Sequence, residues 1–145
     1  MKPEVALAEF VTRMRPNELP PAALDTVRRV LMASVATGIA GAAEDGIAPL
    51  RKLLQARGGR NEARTLVYGD WLPAHAAAQF NGTLCRALDY CDAMAPGVHL
   101  GSSVTPAALA AAELAGGCSG TEFLAAFAAG CEVGSRLNLD RKSVV

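Results

Sequence analysis

The sequence predicts an all-α fold, a compact array of about six helices joined by short loops. Apolar residues recur at helical spacing along most of the chain, and short segments with glycine or proline separate these stretches. Of the 145 residues, 51% are hydrophobic and 19% are charged, a balance that supports one globular domain with a buried core. We therefore expect a single helical domain over residues 1–145.

The first half of the chain contains three predicted helices with recognisable boundaries. Proline suits the first helical position of the second helix, and a glycine pair ends the third. The three helices are Glu4 to Met14, Pro21 to about Ala43, and Ile47 to Arg57. The second includes 14 uncharged residues, Val30 to Ala43. That stretch is shorter than the roughly 20 apolar residues of a membrane helix, and it predicts a buried core helix.

The middle of the chain has one short segment of strand character, Arg64 to Gly69, and then a fourth helix from Pro73 to about Tyr90. Asn81-Gly82 lies in the middle of that helix. A glycine inside a helix costs about 1 kcal/mol relative to alanine. We therefore expect close packing or the approach of a ligand at Gly82.

The last two predicted helices have local start signals. Thr105 as N-cap and Pro106 as first helical residue begin the fifth, which ends at Gly116-Gly117. Ser119 and Glu122 have the Ser-x-x-Glu spacing of a capping box and open the sixth.

The charge balance and the N-terminal segment argue against several classes of function. Lys plus Arg and Asp plus Glu both number 14, so nothing electrostatic favours a nucleic acid or an anionic membrane as partner. The N-terminal segment MKPEVALAEF lacks the apolar run and cleavage site of a secretory signal. We expect a cytoplasmic protein with a small-molecule ligand.

The four cysteines, at positions 85, 91, 118 and 131, form no C-x-x-C pair of the kind found in zinc sites. In a reducing compartment, free cysteine behaves as a small hydrophobic residue. We expect free, mostly buried structural thiols.

An ionisable cluster interrupts the apolar sequence: Asp89, Asp92 and His99 fall within eleven residues. The turn signal Ala95-Pro96-Gly97 can bring His99 back toward Asp89. A carboxylate and an imidazole in one pocket can perform general acid–base catalysis near neutral pH. The cluster therefore predicts a site of proton transfer.

Beside this cluster, Gly101-Ser102-Ser103 precedes the predicted start of the fifth helix. Unpaired backbone N–H groups and the positive end of the helix dipole favour an anion there, such as a substrate carboxylate.

Simpler interpretations of the same residues remain open. A single aspartate at a helix end is often a solvated residue or a cap, and His99 could be a hydrogen-bonded core histidine. A metal site built from Asp89, Asp92 and His99 lacks a fourth ligand. We expect neither a metal nor an organic cofactor.

Two segments, NGTLCRALDY and VHLGSSVTPAALAAAELAGGCSGTEFLAAFAAGCEVGSRL, resemble ordered motifs of the MmgE/PrpD family, which includes 2-methylcitrate dehydratase and cis-aconitate decarboxylase. The resemblance implies that Asp89 and His99 are active-site residues and that no cofactor is needed. The family usually shows Asp-x-Asp-Asp-Thr in this loop and a proline after the histidine. Here Ala93 stands at the threonine position and Leu100 replaces that proline.

Family members are longer and carry a smaller α+β domain after the helical one. The resemblance thus implies an N-terminal part of the helical domain with the small domain absent. We expect a cofactor-independent carbon–oxygen lyase (dehydratase) for a small polycarboxylic acid such as 2-methylcitrate, incomplete and inactive alone because half of the site is missing. The alternative is a non-catalytic helical remnant or oligomerisation module. The expected partner is a second copy, forming a homodimer, or a complementing polypeptide.

Overall fold

The computed structural model describes residues 2–95 and 97–142. Short 3-10 turns lie at Pro16–Glu18 and Gly41–Ala43. The main elements, in chain order, are α1 (Pro3–Arg13), α2 (Pro21–Ala40), α3 (Ile47–Arg57), β1 (Ala63–Arg64), β2 (Trp71–Leu72), α4 (Ala74–Arg86), α5 (Gly101–Leu114) and α6 (Gly120–Lys142). Over this part of the chain, the predicted all-α array of six helices is confirmed. Pro96, in the predicted turn, lies outside the described residues.

Helix α4 is the central element of the fold because it packs against α2, α3, α5 and the hairpin. Phe80 and Leu84 are fully buried and form the main core together with Ala77. Complete burial of a Phe or Leu side chain contributes about 1.5–3 kcal/mol. These residues therefore fix the position of α4 and of the loop that follows it.

Glycines allow α4 to approach its neighbours closely. A Cβ atom on Gly41 would lie 2.6 Å from the Leu84 carbonyl oxygen, closer than the two atoms can approach. A Cβ atom on Gly82 would lie 3.4 Å from the Ser102 carbonyl oxygen in α5. That distance is an ordinary van der Waals contact, so packing does not by itself require glycine at this position, and the reason for Gly82 stays a prediction.

A second apolar cluster joins α6 to α2. Phe127 is fully buried against Val27 and Ala128, and Phe123 stacks on Phe127 with ring centroids 6.3 Å apart. An aromatic pair of this kind contributes about 0.5–1.5 kcal/mol beyond its buried area. The cluster therefore fixes α6, whose later residues border the groove between α4 and α5.

The predicted strand from Arg64 to Gly69 is wrong in position. β1 pairs antiparallel with β2, with Ala63 opposite Leu72, and residues 65–70 form the loop between them. Val67 (φ 69°) and Gly69 (φ 71°) adopt left-handed conformations, which an extended strand does not accommodate. The β-forming residues of this segment therefore lie in a turn.

A buried side chain ties this hairpin loop to α4. Asn81 Oδ1 accepts a hydrogen bond from the Leu66 N–H at 2.7 Å, and Asn81 Nδ2 donates to the Arg64 carbonyl at 3.0 Å. Asn81 is 1% exposed, so both ends of its amide are satisfied inside the protein, as burial requires.

A second polar contact closes the same loop. Arg51 donates from Nε and Nη2 to the two oxygens of Asp70, at 2.5 and 2.7 Å. Thr65 Oγ1 accepts a hydrogen bond from the Asp70 N–H at 2.9 Å. The Arg51 hydrogen bond holds the pKa of Asp70 below its usual value. The Asp70 carboxylate is therefore bound to α3, and the Thr65 hydroxyl is bound to the Asp70 backbone.

Helix α4 ends earlier than predicted. Its last residue is Arg86, not Tyr90, and Asp89 adopts a left-handed conformation at φ 55°. Left-handed residues commonly end helices. Asp89 therefore lies in the loop of residues 87–100, after the helix.

Helix α5 begins earlier than predicted, at Gly101, so the prediction of Thr105 as its N-cap is wrong. Pro106 lies inside the helix, where it lacks the N–H that would otherwise bond to the Ser102 carbonyl. A residue that precedes the helix explains the early start of α5. Asp92 accepts hydrogen bonds from the N–H groups of Leu100 and Gly101, at 3.2 and 2.8 Å.

The capping box at the start of α6 is confirmed. Ser119 Oγ accepts a hydrogen bond from the Glu122 N–H at 3.2 Å, and the Glu122 carboxylate accepts one from the Ser119 N–H at 2.8 Å. Hydrogen bonds from Ser119 lower the pKa of Glu122.

Helix α2, the apolar second helix, is buried on one face only. The prediction of a buried core helix is therefore wrong for its other face. Ser34 and Gly38 are buried, whereas Met32 is 69% exposed and Ile39 is 59% exposed. Within the described residues, no single helix has the length and apolar character to cross a membrane. Residues 21–43 and 47–57, bent by 96°, pass that test only as a pair.

The four cysteines are free, as predicted, but the prediction that most are buried is wrong. Only Cys85 among them is buried; Cys91 and Cys131 are half-buried and Cys118 is exposed. Burial raises the pKa of the Cys85 and Cys131 thiols to about 11.

Candidate functional site

A groove of about 960 Å³ lies between the end of α4 and the start of α5, with α6 along one side. Gly82 and Pro106 form part of its apolar floor. The polar residues of its lining are Gln79, Thr83, Arg86, His99, Ser102, Ser103 and Asn138. The groove therefore combines an imidazole and a guanidinium with several neutral hydrogen-bonding groups.

Arg86 enters the groove from the last turn of α4. Its Nη2 atom lies 3.0 Å from Asp89 Oδ1. The Asp89 side chain is 76% exposed. Asp89 does not itself line the groove, and its link to the groove is the ion pair with Arg86. An exposed pair of this kind contributes under about 1 kcal/mol to stability. The ion pair matters for position, because it holds the Arg86 guanidinium beside the groove.

His99 enters from the loop of residues 87–100 immediately before α5. Its Nδ1 atom lies 2.7 Å from the Asp92 carbonyl oxygen. A carbonyl oxygen only accepts hydrogen bonds, so Nδ1 carries the proton and Nε2 of the neutral ring is left unprotonated. His99 is exposed, which excludes the alternative of a core histidine. The geometry therefore gives an accessible base in a fixed tautomer.

Asp89 and His99 are linked through two intermediate side chains. Arg86 Nη1 donates to Cys91 Sγ at 2.6 Å, and Cys91 Sγ lies 3.3 Å from His99 Nδ1. Together with the Arg86–Asp89 pair, these contacts form a continuous polar chain. The joint catalytic role of Asp89 and His99 stays a prediction.

Cys91 is the member of this chain that sequence reasoning assigned to a structural role. Its partners lie five residues before it and eight residues after it, and their convergence depends on how the loop folds. The available signal was its position between Asp89 and Asp92 in the ionisable segment.

The predicted anion site at Gly101-Ser102-Ser103 is wrong as stated, because the protein's own carboxylate occupies this helix terminus. Asp92 binds the N–H groups of Leu100 and Gly101. A carboxylate there also interacts favourably with the helix dipole. Asp92 is therefore a cap, separate in role from Asp89 and His99.

No group of three His, Cys, Asp or Glu side chains within residues 2–95 and 97–139 is arranged to hold a metal ion. Asp92, the third residue of the metal site considered from the sequence, turns both carboxylate oxygens toward backbone N–H groups.

A family model described as the MmgE/PrpD N-terminal domain matches residues 5–143. The chain belongs to the MmgE/PrpD family. No curated protein sequence matches the chain. The family match covers α4, α5 and the loop between them, so the whole groove lies within the MmgE/PrpD N-terminal domain.

Both motifs that carried the resemblance border this groove in the MmgE/PrpD domain. The Asn-Gly segment lies in the buried part of α4 and leads to Arg86 and Asp89. The second motif begins at the loop that carries His99 and continues through α5 and α6. Asn81 itself serves the hairpin, so the first motif combines a structural residue with groove residues one turn later.

Proposed function

We propose that this chain supplies one wall of the active site of a cofactor-independent carbon–oxygen lyase, a dehydratase for a small polycarboxylic acid such as 2-methylcitrate. The observation that carries the proposal is that His99, in a single tautomer, and Arg86 line the same groove. Membership of the MmgE/PrpD family is the second support.

Each residue has a distinct proposed role. His99 Nε2 removes a proton from the carbon next to a substrate carboxylate, as a positioned general base. Arg86 binds that carboxylate, because a guanidinium matches it in geometry and charge. Asp89 positions Arg86 through their ion pair. The Cα–H bond breaks, its electrons form the double bond, and the hydroxyl leaves with a proton from an acid.

The acid for the leaving hydroxyl is proposed to come from a complementing surface. Among the described lining residues, Arg86 and His99 are the titratable groups. Arginine stays protonated in proteins, so it does not supply that proton. Elimination needs the base, the acid and the carboxylate ligands held together within a fraction of an ångström. We therefore expect the 145-residue chain to bind substrate weakly and to turn over little or none of it by itself.

The test is a titration of the isotope-labelled chain with cis-aconitate and 2-methylcitrate, followed by nuclear magnetic resonance of the Arg86 Nε–H and His99 ring signals. We expect shifts at these two residues, and we expect His99→Gln to remove the response at Arg86 in part. Shifts confined to another surface, or none at millimolar ligand, would contradict the proposal. Turnover by the chain alone that survives in His99→Ala would contradict the role of His99.

A non-catalytic oligomerisation module is the second candidate, favoured by exposed apolar side chains on α2. Met32 is 69% exposed and Ile39 is 59% exposed, and such residues often mark interaction surfaces when they are contiguous. A discrete dimer in light scattering that Met32→Glu dissociates, with no response of His99 to polycarboxylates, would favour this function over the lyase.

A further inference from the structure

We propose that Ser102 of α5 and Gly82 of α4 form a subsite for the hydroxyl group of the substrate. The groove then selects hydroxy acids over the same acids without the hydroxyl. Both residues line the groove, together with Pro106. The inference rests on the proposed function, because it assigns a further substrate contact to the same groove.

The first observation is a backbone acceptor that its own helix leaves without a donor. Pro106 lies inside α5, and proline has no N–H to bond to the carbonyl of the residue four positions earlier. That residue is Ser102. Among the described residues, no side chain and no backbone N–H from outside the helix donates to the Ser102 carbonyl. Its oxygen is therefore able to accept a hydrogen bond from a ligand.

The second observation is the Ser102 side chain. Ser102 is only 7% exposed, and it lines the groove. Its hydroxyl forms no hydrogen bond with the part of the chain that the structure describes. A hydroxyl on a residue this buried usually has a hydrogen-bond partner, and a ligand in the groove can supply it. Ser102 thus offers a carbonyl that accepts and a hydroxyl that donates or accepts.

Gly82 leaves the Ser102 carbonyl open on the side of α4. A Cβ atom on Gly82 would lie 3.4 Å from the Ser102 carbonyl oxygen and 3.5 Å from Pro106 Cγ. Alanine would therefore fit at this position, and inside a helix it is favoured over glycine by about 1 kcal/mol. With glycine, a ligand hydroxyl can approach the carbonyl oxygen to the distance of about 2.7–2.8 Å that is typical of an O–H···O hydrogen bond.

The subsite distinguishes a hydroxyl from a carboxylate. An ionised carboxylate only accepts hydrogen bonds, so the Ser102 carbonyl does not bind it. A hydroxyl donates to that carbonyl, while Arg86 in the same groove binds the carboxylate. During elimination the C–O bond breaks, and the hydroxyl takes a proton from the acid and leaves as water. The carbonyl accepts a hydrogen bond from the hydroxyl before this step and from the water after it.

The experiment compares citrate with tricarballylate, which is citrate without its hydroxyl group, at a pH at which all carboxyls are ionised. Dissociation constants are measured by nuclear magnetic resonance at the Arg86 Nε–H and the His99 ring of the isotope-labelled chain. We expect citrate to bind about fivefold more tightly, the net value of one hydrogen bond.

Two substitutions remove the subsite by different means. Gly82→Ala covers the Ser102 carbonyl, and Pro106→Ala gives that carbonyl a helical N–H donor. Each should weaken citrate binding and bring the two dissociation constants together. The control Gly120→Ala adds a Cβ atom with nothing within 4 Å, and it should keep the preference for citrate.

Thermal melting separates loss of the subsite from loss of the fold. Gly82→Ala should melt at or above the wild-type temperature, because alanine is favoured in a helix. If it fails to fold, Pro106→Ala decides the matter.

Equal wild-type constants for the two acids, with Arg86 and His99 responding to both, would overturn the subsite and leave the proposed function standing. A preference for citrate that persists in the folded variants would also overturn the subsite. No response of Arg86 and His99 to either acid would contradict the proposed function, and the subsite with it.

Discussion

Two loops flank helix α4 and differ in how they use their polar residues. The hairpin loop of residues 65–70 precedes the helix, and its Asp70 side chain and Leu66 N–H bind Arg51 of α3 and Asn81 of α4. The loop of residues 87–100 follows the helix and leaves the His99 ring and the Arg86 guanidinium on a groove. In each case an aspartate of the loop pairs with an arginine of a helix. Arg86 of the second pair lines the groove of about 960 Å³, whereas Asp70 of the first pair lines a smaller cavity of about 250 Å³.

Structural and functional polar residues differ here in how many of their donors and acceptors are already bonded within the protein. Asn81 and Asp70 have their hydrogen-bonding capacity used inside the protein, so little is left for a ligand. His99 uses one ring nitrogen and presents the other. The number of unused donors and acceptors facing a cavity therefore separates the two loops better than charge does.

The largest stability effect is expected at the structural loop. Asn81→Ala leaves the Leu66 N–H and the Arg64 carbonyl without their partner. An unsatisfied buried group costs about 1–3 kcal/mol, so we expect the free energy of unfolding to fall by about 2 kcal/mol in urea denaturation. The exposed Asn61→Ala control should change it by less than about 0.5 kcal/mol. Equal effects of the two substitutions would contradict the structural role of Asn81 in holding the hairpin loop.

A smaller effect is expected at the cap within the functional loop. Asp92→Ala removes the acceptor for the Leu100 and Gly101 N–H groups. Loss of a side chain that accepts hydrogen bonds at a helix start costs about 1 kcal/mol. Thermal melting of Asp92→Asn, which keeps an oxygen acceptor, should lie between wild type and Asp92→Ala. An unchanged melting temperature in Asp92→Ala would show that this carboxylate does not stabilise the start of α5.

The smallest effect is expected from the acid dependence of the structural pair. The Arg51 hydrogen bond lowers the pKa of Asp70 in the folded state relative to the unfolded state. Its contribution to stability is therefore present above the unfolded pKa and is lost as pH falls through the folded pKa. Asp70→Asn should reduce the slope of unfolding free energy against pH in the acid range. An unchanged slope would show that Asp70 is not stabilised by this pair.

Local sequence patterns predicted the helices. The predictions failed where contacts between residues distant in sequence determine the structure. The capping box of Ser119 and Glu122 lies within one turn, so it is visible in sequence. The start of α5 was misplaced because its cap, Asp92, lies nine residues before Gly101. The strand prediction failed because the left-handed residues Val67 and Gly69 turn the chain, in a loop that Asn81 holds from another element.

The candidate site was predictable in part for the same reason. Asp89 and His99 stood out as ionisable residues in an apolar chain. Arg86 was visible only as a neighbour of Asp89, and the roles of Cys91 and Asp92 follow from a loop conformation that no periodicity encodes. The chemistry of the residues thus indicated where the site lies. The fold of the loop determines which residues belong to it.

One matched pair of variants tests the contrast between the loops most directly: Arg86→Gln and Arg51→Gln, titrated with cis-aconitate by nuclear magnetic resonance and denatured in urea. Arg86→Gln should weaken binding by about tenfold, the value of one charge-assisted hydrogen bond, with unfolding free energy within about 0.5 kcal/mol of wild type. Arg51→Gln should lower stability and leave the dissociation constant unchanged. Binding that depends on Arg51 and not on Arg86 would contradict the assignment of the groove as the functional site.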